Sequence, residues 1–309
     1  MESAMGKDRK RKMFDIIRIL VLVAALSVML YPTVSNYLYE KNSSRVVSRY
    51  DEEVVKLSQE EKQRMLEEAR QYNGELTEAP ELADPFSPVR GEMDARYASL
   101  LDVDGDGMMG YVCIPKIDVE LPIYHGTSEN VLQSGVGHFE GTSLPVGGEG
   151  THTVLTGHRG LPSKLLFTEL DELEKGDVFY IKVLGENLAY EIDRILTVLP
   201  EDTQELSVVD GKDYATLVTC TPYAINTHRL LVRGHRVPYE EASAKESDEI
   251  SHGLKVPFEA AVLLTAFAIL GGIFILWAVM RKRRQKSRKR DKKPGRRRRQ
   301  ERWRKRRGL

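Results

Sequence analysis

Cysteine is almost absent from this chain. Cys113 and Cys220 are its only two among 309 residues. At most one disulfide can form, which excludes a scaffold stapled by several bridges. Composition leaves two readings open: the pair is joined, or a lone thiol works with a histidine from elsewhere in the chain. Net charge is absent as well, with 46 Lys and Arg against 46 Asp and Glu. The balance hides an asymmetry. Residues 281–309 hold 19 Lys or Arg and two acids, Asp291 and Glu301, whereas 1–280 hold 27 basic and 44 acidic residues. Body and tail of opposite sign point to two environments. No internal repeat is present. The DVDGDG at 102–107 lacks what an EF-hand needs, because position 12 of such a loop is Cys113 and not a bidentate Glu. A polar turn before a strand is expected there, and no metal site.

Long apolar runs are few but informative. At 257–280, PFEAAVLLTAFAILGGIFILWAVM has one acid, Glu259, followed by 21 uncharged residues. At about 1.5 Å per residue such a run crosses a hydrocarbon core of roughly 30 Å. A second run, FDIIRILVLVAALSVMLYPTV, contains Asp15 and Arg18 in its first turn and is expected to end at Pro32. It lacks an Ala-x-Ala-like site close behind it, which favours an uncleaved anchor over a signal peptide. Lys7, Arg9, Lys10, Arg11 and Lys12 precede the first run, and the basic tail follows the second. The positive-inside rule then puts both termini in the cytoplasm and the acidic body outside. Anionic lipid is the expected partner of the tail, not nucleic acid.

These boundaries divide the chain into a basic N-terminus at 1–12, an anchor at 13–32, a helix and extended segment at 33–93, and a main domain at 94–240. A linker at 241–256, a second span at 257–280 and the basic tail at 281–309 follow. Within 33–93, SQEEKQRMLEEARQY at 58–72 reads as a helix. Ser58 and Glu61 form a capping box, Gly74 follows the end, and Met65, Ala69 and Tyr72 make an apolar stripe. Pro80, Pro85 and Pro88 mark the extended stretch at 76–93. From about Gly110 the pattern becomes MGYVCIP, ELPIYH, THTVLTG, DVFYIKV, AYEIDRILTVL, ATLVTC and HRLLVRGHRV. Seven or eight short strands with one helical insertion, SKLLFTELDEL at 163–173, predict a mainly-β fold closed into a barrel.

ATLVTC and HRLLVRG flank an eight-residue loop, 221–228. A symmetric hairpin register sets Cys220 opposite Arg229 and Arg233 near Thr216. Four residues at about 3.3 Å each put Arg233 roughly 13 Å from the thiol. A thiolate attacks carbonyl carbon, and a guanidinium donates to the oxyanion that forms. His158, in VLTGHRG just after a strand, is the candidate acid/base. His125, His138, His152, His228, His235 and His252 have no comparable context. Cys113, inside a strand, is expected to be a small buried apolar residue. From the residues alone, a Cys/His/Arg acyl-transfer site stands beside a cysteine peptidase using water and a non-catalytic binding domain.

TLVTC at 216–220 with Arg229 nine residues on, and TGH at 156–158, resemble the signature of the sortases. Within that family the pilin-polymerising class C enzymes are the most similar, over roughly 80–240. The resemblance implies an eight-stranded sortase β-barrel with short helices, an N-terminal helical and lid segment, and flanking membrane spans. It implies a transpeptidase that cleaves LPxTG-type sorting signals between Thr and Gly through a thioacyl on a free Cys220. His158 would be the acid/base and Arg229 the oxyanion or orienting group. A pilin lysine would be the acceptor, the product an isopeptide-linked pilus, and no cofactor is needed. A cell-wall-anchoring sortase is the alternative within the family. Class C enzymes also carry an Asp-Pro-aromatic lid, matched by Asp84, Pro85 and Phe86. Phe86 is expected to cover the Cys220 sulfur.

Overall fold

In the computed structural model the short apolar runs close into a barrel: β1 (Met108–Ile114), β2 (Val119–His125), β3 (Val136–His138), β4 (Thr151–Thr156), β5 (Val178–Val183), β6 (Glu186–Val198), β7 (Asp213–Thr221) and β8 (His228–Val237). Their order around the barrel is β1-β2-β3-β4-β7-β8-β6-β5, with β5 returning to β1. The pairs β2–β3 and β4–β7 are parallel and the others antiparallel. The structure describes residues 2–76, 83–87, 92–161 and 163–243, together with 265, 268–269, 271–273, 279 and 282. It divides into two units, Met1–Glu249 and Ile250–Leu309. The described residues of the second unit are helical. Most of the expected second span at 257–280 and of the tail at 281–309 lies outside the described residues.

Closure leaves no strand edge unpaired and turns alternate side chains inward. Val112, Ile114, Ile123, Leu155, Phe179, Ile181, Leu217 and Val232 are fully buried. Each contributes about 1.5–3 kcal/mol by leaving water. The eighth strand that the sequence pattern does not resolve is β3. Its three residues are too few to display an alternation.

Among the described residues of the first unit, four α-helices accompany the barrel: α1 (Glu2–Lys56), α2 (Gln59–Glu75), α3 (Ala95–Ser99) and α4 (Glu129–Ser134). The Ser58/Glu61 capping box starts α2 as expected. Ala69 is fully buried, and Met65 and Tyr72 pack at the margin of the core. The reading at Pro32 is corrected, because α1 runs through it without a break. Proline removes one helical hydrogen bond. Tertiary contacts beyond it outweigh that loss. Ser43 Oγ donates to Glu120 O, Tyr50 Oη donates to Met109 O, and Val47 and Val54 are buried. The helix expected at 163–173 is also corrected. The segment forms turns and a single 3₁₀ turn at Leu170–Glu172. Leu166 takes a positive φ of 45°, which no α-helix accommodates. Cys113 is half-exposed, not buried, and its Sγ lies 3.8 Å from the Glu120 carboxylate. The two cysteines are not joined to each other. DVDGDG is a turn in which Asp102 accepts from Gly105 N and Gly107 N, while Asp104 and Asp106 pair with Arg49.

Three histidines are structural. His125 is held between the Gly107 and Leu100 carbonyls, His138 between Tyr97 Oη and Ser143 O, and His152 between Ser207 O and Thr216 Oγ1. Burial pushes the His138 and His152 imidazoles down to about 4 from an ordinary value near 6.5. A folded-state value below the unfolded one means that the unfolded chain binds more protons. The stabilisation is complete above about pH 6.5 and is lost as pH falls towards 4. Each histidine is expected to remove up to roughly 3 kcal/mol over that window. Urea unfolding between pH 7.5 and 4.5 checks this, and a flat profile would contradict it.

Candidate active site

Cys220 sits at the end of β7 and faces Arg229 at the start of β8, in the register expected from the hairpin. Arg233 pairs with Thr216 further down the same strands. Its guanidinium makes a two-pronged bond to Asp193, at 3.0 and 2.8 Å, and lies 4.2 Å from the centre of the Tyr214 ring. That arginine is committed to packing β6, β7 and β8 together. Arg229 is at the mouth.

The strand before His158 is β4, which runs parallel to β7 with Thr156 beside Val218. Both chains therefore leave the barrel at one edge. The junction is fixed by Gly157 N donating to Val218 O at 3.0 Å and by Thr219 Oγ1 donating to Gly157 O at 2.8 Å. A Cβ at Gly157 would come within 2.6 Å of the Phe167 ring, so only glycine fits between β4 and His158. The next residue, Arg159, links the two sides again. Its Nη1 donates to Thr221 Oγ1 at 3.2 Å and its Nη2 reaches Asp171.

Asp84, Pro85 and Phe86 cover this edge. Asp84 accepts from Arg229 Nε at 2.8 Å and from Nη2 at 2.6 Å, a fork-to-fork pair that is shielded on both sides. The Nη1 of Arg229 donates to the carbonyls of Asn226 and His228. Asp84 Oδ1 also accepts from Phe86 N, and Asp84 O accepts from Ser87 N, which folds the segment into a tight turn. The Phe86 ring lies 5.8 Å from the His158 ring and 5.0 Å from the Arg229 guanidinium carbon, centre to centre. It thus spans the imidazole and the guanidinium. Its apolar edge joins a small cluster with Val154, Val218 and Leu231.

Electrostatics follow from this packing. Burial raises the Cys220 thiol above its ordinary value, Arg229 opposes that rise, and Asp84 adds to it. With Asp84 in place, the guanidinium is shared between a carboxylate and the thiol, and the thiol form is favoured. Moving Asp84 away removes one raising influence and leaves the lowering one. His158 carries a neighbour that no sequence pattern singles out. Glu129 Oε2, in the first turn of α4, lies 3.3 Å from His158 Nε2, within ion-pair range but off the line of a hydrogen bond. Ser128, the N-cap of α4, and Glu129 itself, an acid in the first turn, are the local signals that a helix begins there. Arg159 is likewise overshadowed in the sequence by the adjacent histidine. Among the described residues the other histidines lie in the structural positions given above or on β8, where His228 Nδ1 meets Thr227 Oγ1.

The arrangement gathers a thiol, an imidazole and a guanidinium beneath one cover, which suits acyl transfer. The sortase domain family matches residues 112–237. The chain is similar to the solved sortase C of Streptococcus pneumoniae, with 49% identity and a TM-score of 0.59, covering 63% of this chain and 97% of that one. It is similar to sortase C-1 of Actinomyces oris, with 47% identity and a TM-score of 0.55, covering 58% and 99%. It is 34% identical to sortase D of Bacillus subtilis over 131 residues, which is 41% of this chain and 63% of that enzyme.

Proposed function

This chain belongs to the sortase family, in its class C, and from that premise we propose that it is a membrane-anchored transpeptidase joining pilin subunits through Cys220, His158 and Arg229. The observation that carries the proposal is the meeting of these three side chains at one barrel edge under Asp84 and Phe86. The solved Streptococcus pneumoniae sortase C bears on catalysis and on pilin substrate specificity in that enzyme. Extended to this chain, the donor is an LPxTG-type sorting signal.

The steps follow from the residues. The cover leaves, and Arg229 turns from Asp84 to the donor. His158 takes the proton of Cys220, the thiolate attacks the Thr carbonyl carbon, and the charge that develops on oxygen is met by the guanidinium. His158 protonates the amine of the departing Gly, and the Thr–Gly bond breaks. The Thr carbonyl is now a thioester on Cys220. A lysine amine of another pilin gives a proton to His158 and attacks this carbonyl. Cys220 leaves as thiolate, and an isopeptide bond remains.

Anchoring rests on the stretch beginning at Met13 of α1, the one described helix long and apolar enough to cross a membrane; its most apolar window is wholly unburied in the protein. Basic residues at both chain ends support cytoplasmic termini and an external barrel. Incubation of the chain with an LPxTG-type peptide, with and without an added amine, tests the reaction. Amine-dependent product supports transpeptidation. Hydrolysis indifferent to the amine would make the protein a peptidase, and an inert Cys220 would make it a binding domain.

The cover itself is testable. Asp84→Ala combined with Phe86→Ala is expected to speed alkylation of Cys220 by a small thiol reagent, because the sulfur becomes accessible and one influence holding it as thiol is removed. Rates for the wild type and the double variant are compared at one pH and ionic strength. Equal rates would reduce 83–87 to an ordinary surface turn.

A further inference from the structure

The active-site edge of the barrel and the apolar part of α1 point the same way. The strand ends fix one relation. β4 and β7 finish, β6 finishes at Val198 beside Arg229, and β8 starts, all at the Cys220 edge. The β5–β6 turn at Leu184 and Gly185 lies at the opposite edge. Helix α1 fixes the other relation, because it is laid along the barrel from one edge to the other. At the far edge Tyr50 Oη accepts from Leu184 N at 3.0 Å. Towards the mouth, Asn36 Oδ1 accepts from Leu165 N at 2.8 Å, in the segment that follows His158. Tyr39 Oη donates to Ser134 O at the end of α4, and Lys164 sits over the Tyr39 ring. Traced backwards from Asn36, the helix continues into the apolar run that ends near Pro32. At ~1.5 Å per residue, Asn36 and Tyr39 stand only roughly 6 and 10 Å along the helix beyond Pro32.

The rim of the mouth is also unusually apolar. Leu165 is 39% exposed, Leu199 50%, Tyr223 53% and Ile225 66%. Tyr223 and Ile225 belong to the β7–β8 loop next to Cys220, Leu165 to the His158 segment, and Leu199 is the residue after β6. An aromatic ring and aliphatic side chains in this position suit the headgroup boundary of a bilayer, where apolar bodies with polar tips gather. Glu201 and Asp202, just beyond Leu199, limit the contact to the boundary and keep this side out of hydrocarbon.

We propose that the mouth of the active site faces the membrane, with Tyr223 and Ile225 of the β7–β8 loop resting in the lipid headgroup layer. The proposal rests on the reading of α1 as an anchor. It makes the bilayer surface one wall of the entry to Cys220, so that donors held at that surface are met directly and those standing far above it are not.

Tryptophan fluorescence tests it. The full chain is prepared with Trp277→Phe and Trp303→Phe, so that no native indole remains. Ile225→Trp or, as a gentler change, Tyr223→Trp then supplies one probe at the rim. Asn187→Trp supplies one at the opposite, exposed edge. Each is reconstituted into phosphatidylcholine–phosphatidylglycerol vesicles, with or without bromine on the acyl chains close to the headgroup. The expected result is loss of emission at positions 225 and 223 in brominated vesicles and unchanged emission at 187. A chain that resists carbonate extraction while its rim probes keep full emission would overturn this orientation and leave the anchor intact; a rim reserved for a protein partner gives that result. A chain extracted by carbonate would overturn the anchor and the orientation together.

Discussion

Cys220→Ala is expected to abolish turnover completely. No other group at the mouth can form a thioester, and the second thiol cannot substitute, since Cys113 lies on β1 beside Glu120. Mass spectrometry of the chain after exposure to a donor peptide should find an acyl adduct in the wild type and in Cys113→Ala, and none in Cys220→Ala. The fold should survive, because Cys220→Ala removes only one heavy atom, the sulfur, from a small site. An adduct that persists in Cys220→Ala and vanishes in Cys113→Ala would sink the assignment.

Arg229→Ala is expected to lower turnover by about 10²–10³, the usual cost of removing one oxyanion donor. Arg233→Ala should leave turnover nearly unchanged and act on stability, since that guanidinium is spent on Asp193 and Tyr214. Arg229→Lys separates charge from shape. It keeps the cation but loses the planar fork, and is expected to recover only part of the loss. A second readout guards against a merely damaged fold. Without Arg229 the cover loses its anchor but the thiol loses the cation that lowers it, so alkylation of Cys220 should rise at a pH that ionises the thiol in both chains, while transpeptidation falls. A larger turnover loss at Arg233 than at Arg229 would reverse the assignment of the two arginines.

Much of this site can be read along the chain because its parts are local or periodic. The Cys220–Arg229 pairing is set by two strand-like runs around a loop of fixed length, and a hairpin leaves little freedom of register. His158 follows a strand, so its exposure at a strand end is foreseeable, but its approach to the Cys220 edge depends on β4 pairing in parallel with β7, which no local pattern encodes. Glu129 reaches His158 from a helix of six residues, too short for an amphipathic stripe. Asp84 is visible only through family resemblance, since Asp-Pro in isolation is a common turn. The two departures from the expected helices have tertiary and backbone causes. Contacts to the barrel carry α1 past Pro32, and the positive φ of Leu166 breaks the periodic segment after Lys164.

The Asp84–Arg229 pair has a consequence for how tightly donors are held. Asp84 is a ligand that cannot diffuse away, because it is part of the same chain. A tethered group of this kind acts at an effective concentration of roughly millimolar for a short flexible connection. Free carboxylates in solution should therefore be poor inhibitors, as they compete with one that is always present. A short donor peptide and a long one must make the same displacement, at the same cost. Replacing Asp84 by alanine should therefore improve the apparent KM of short and long donors by the same factor, and leave the ratio between them unchanged.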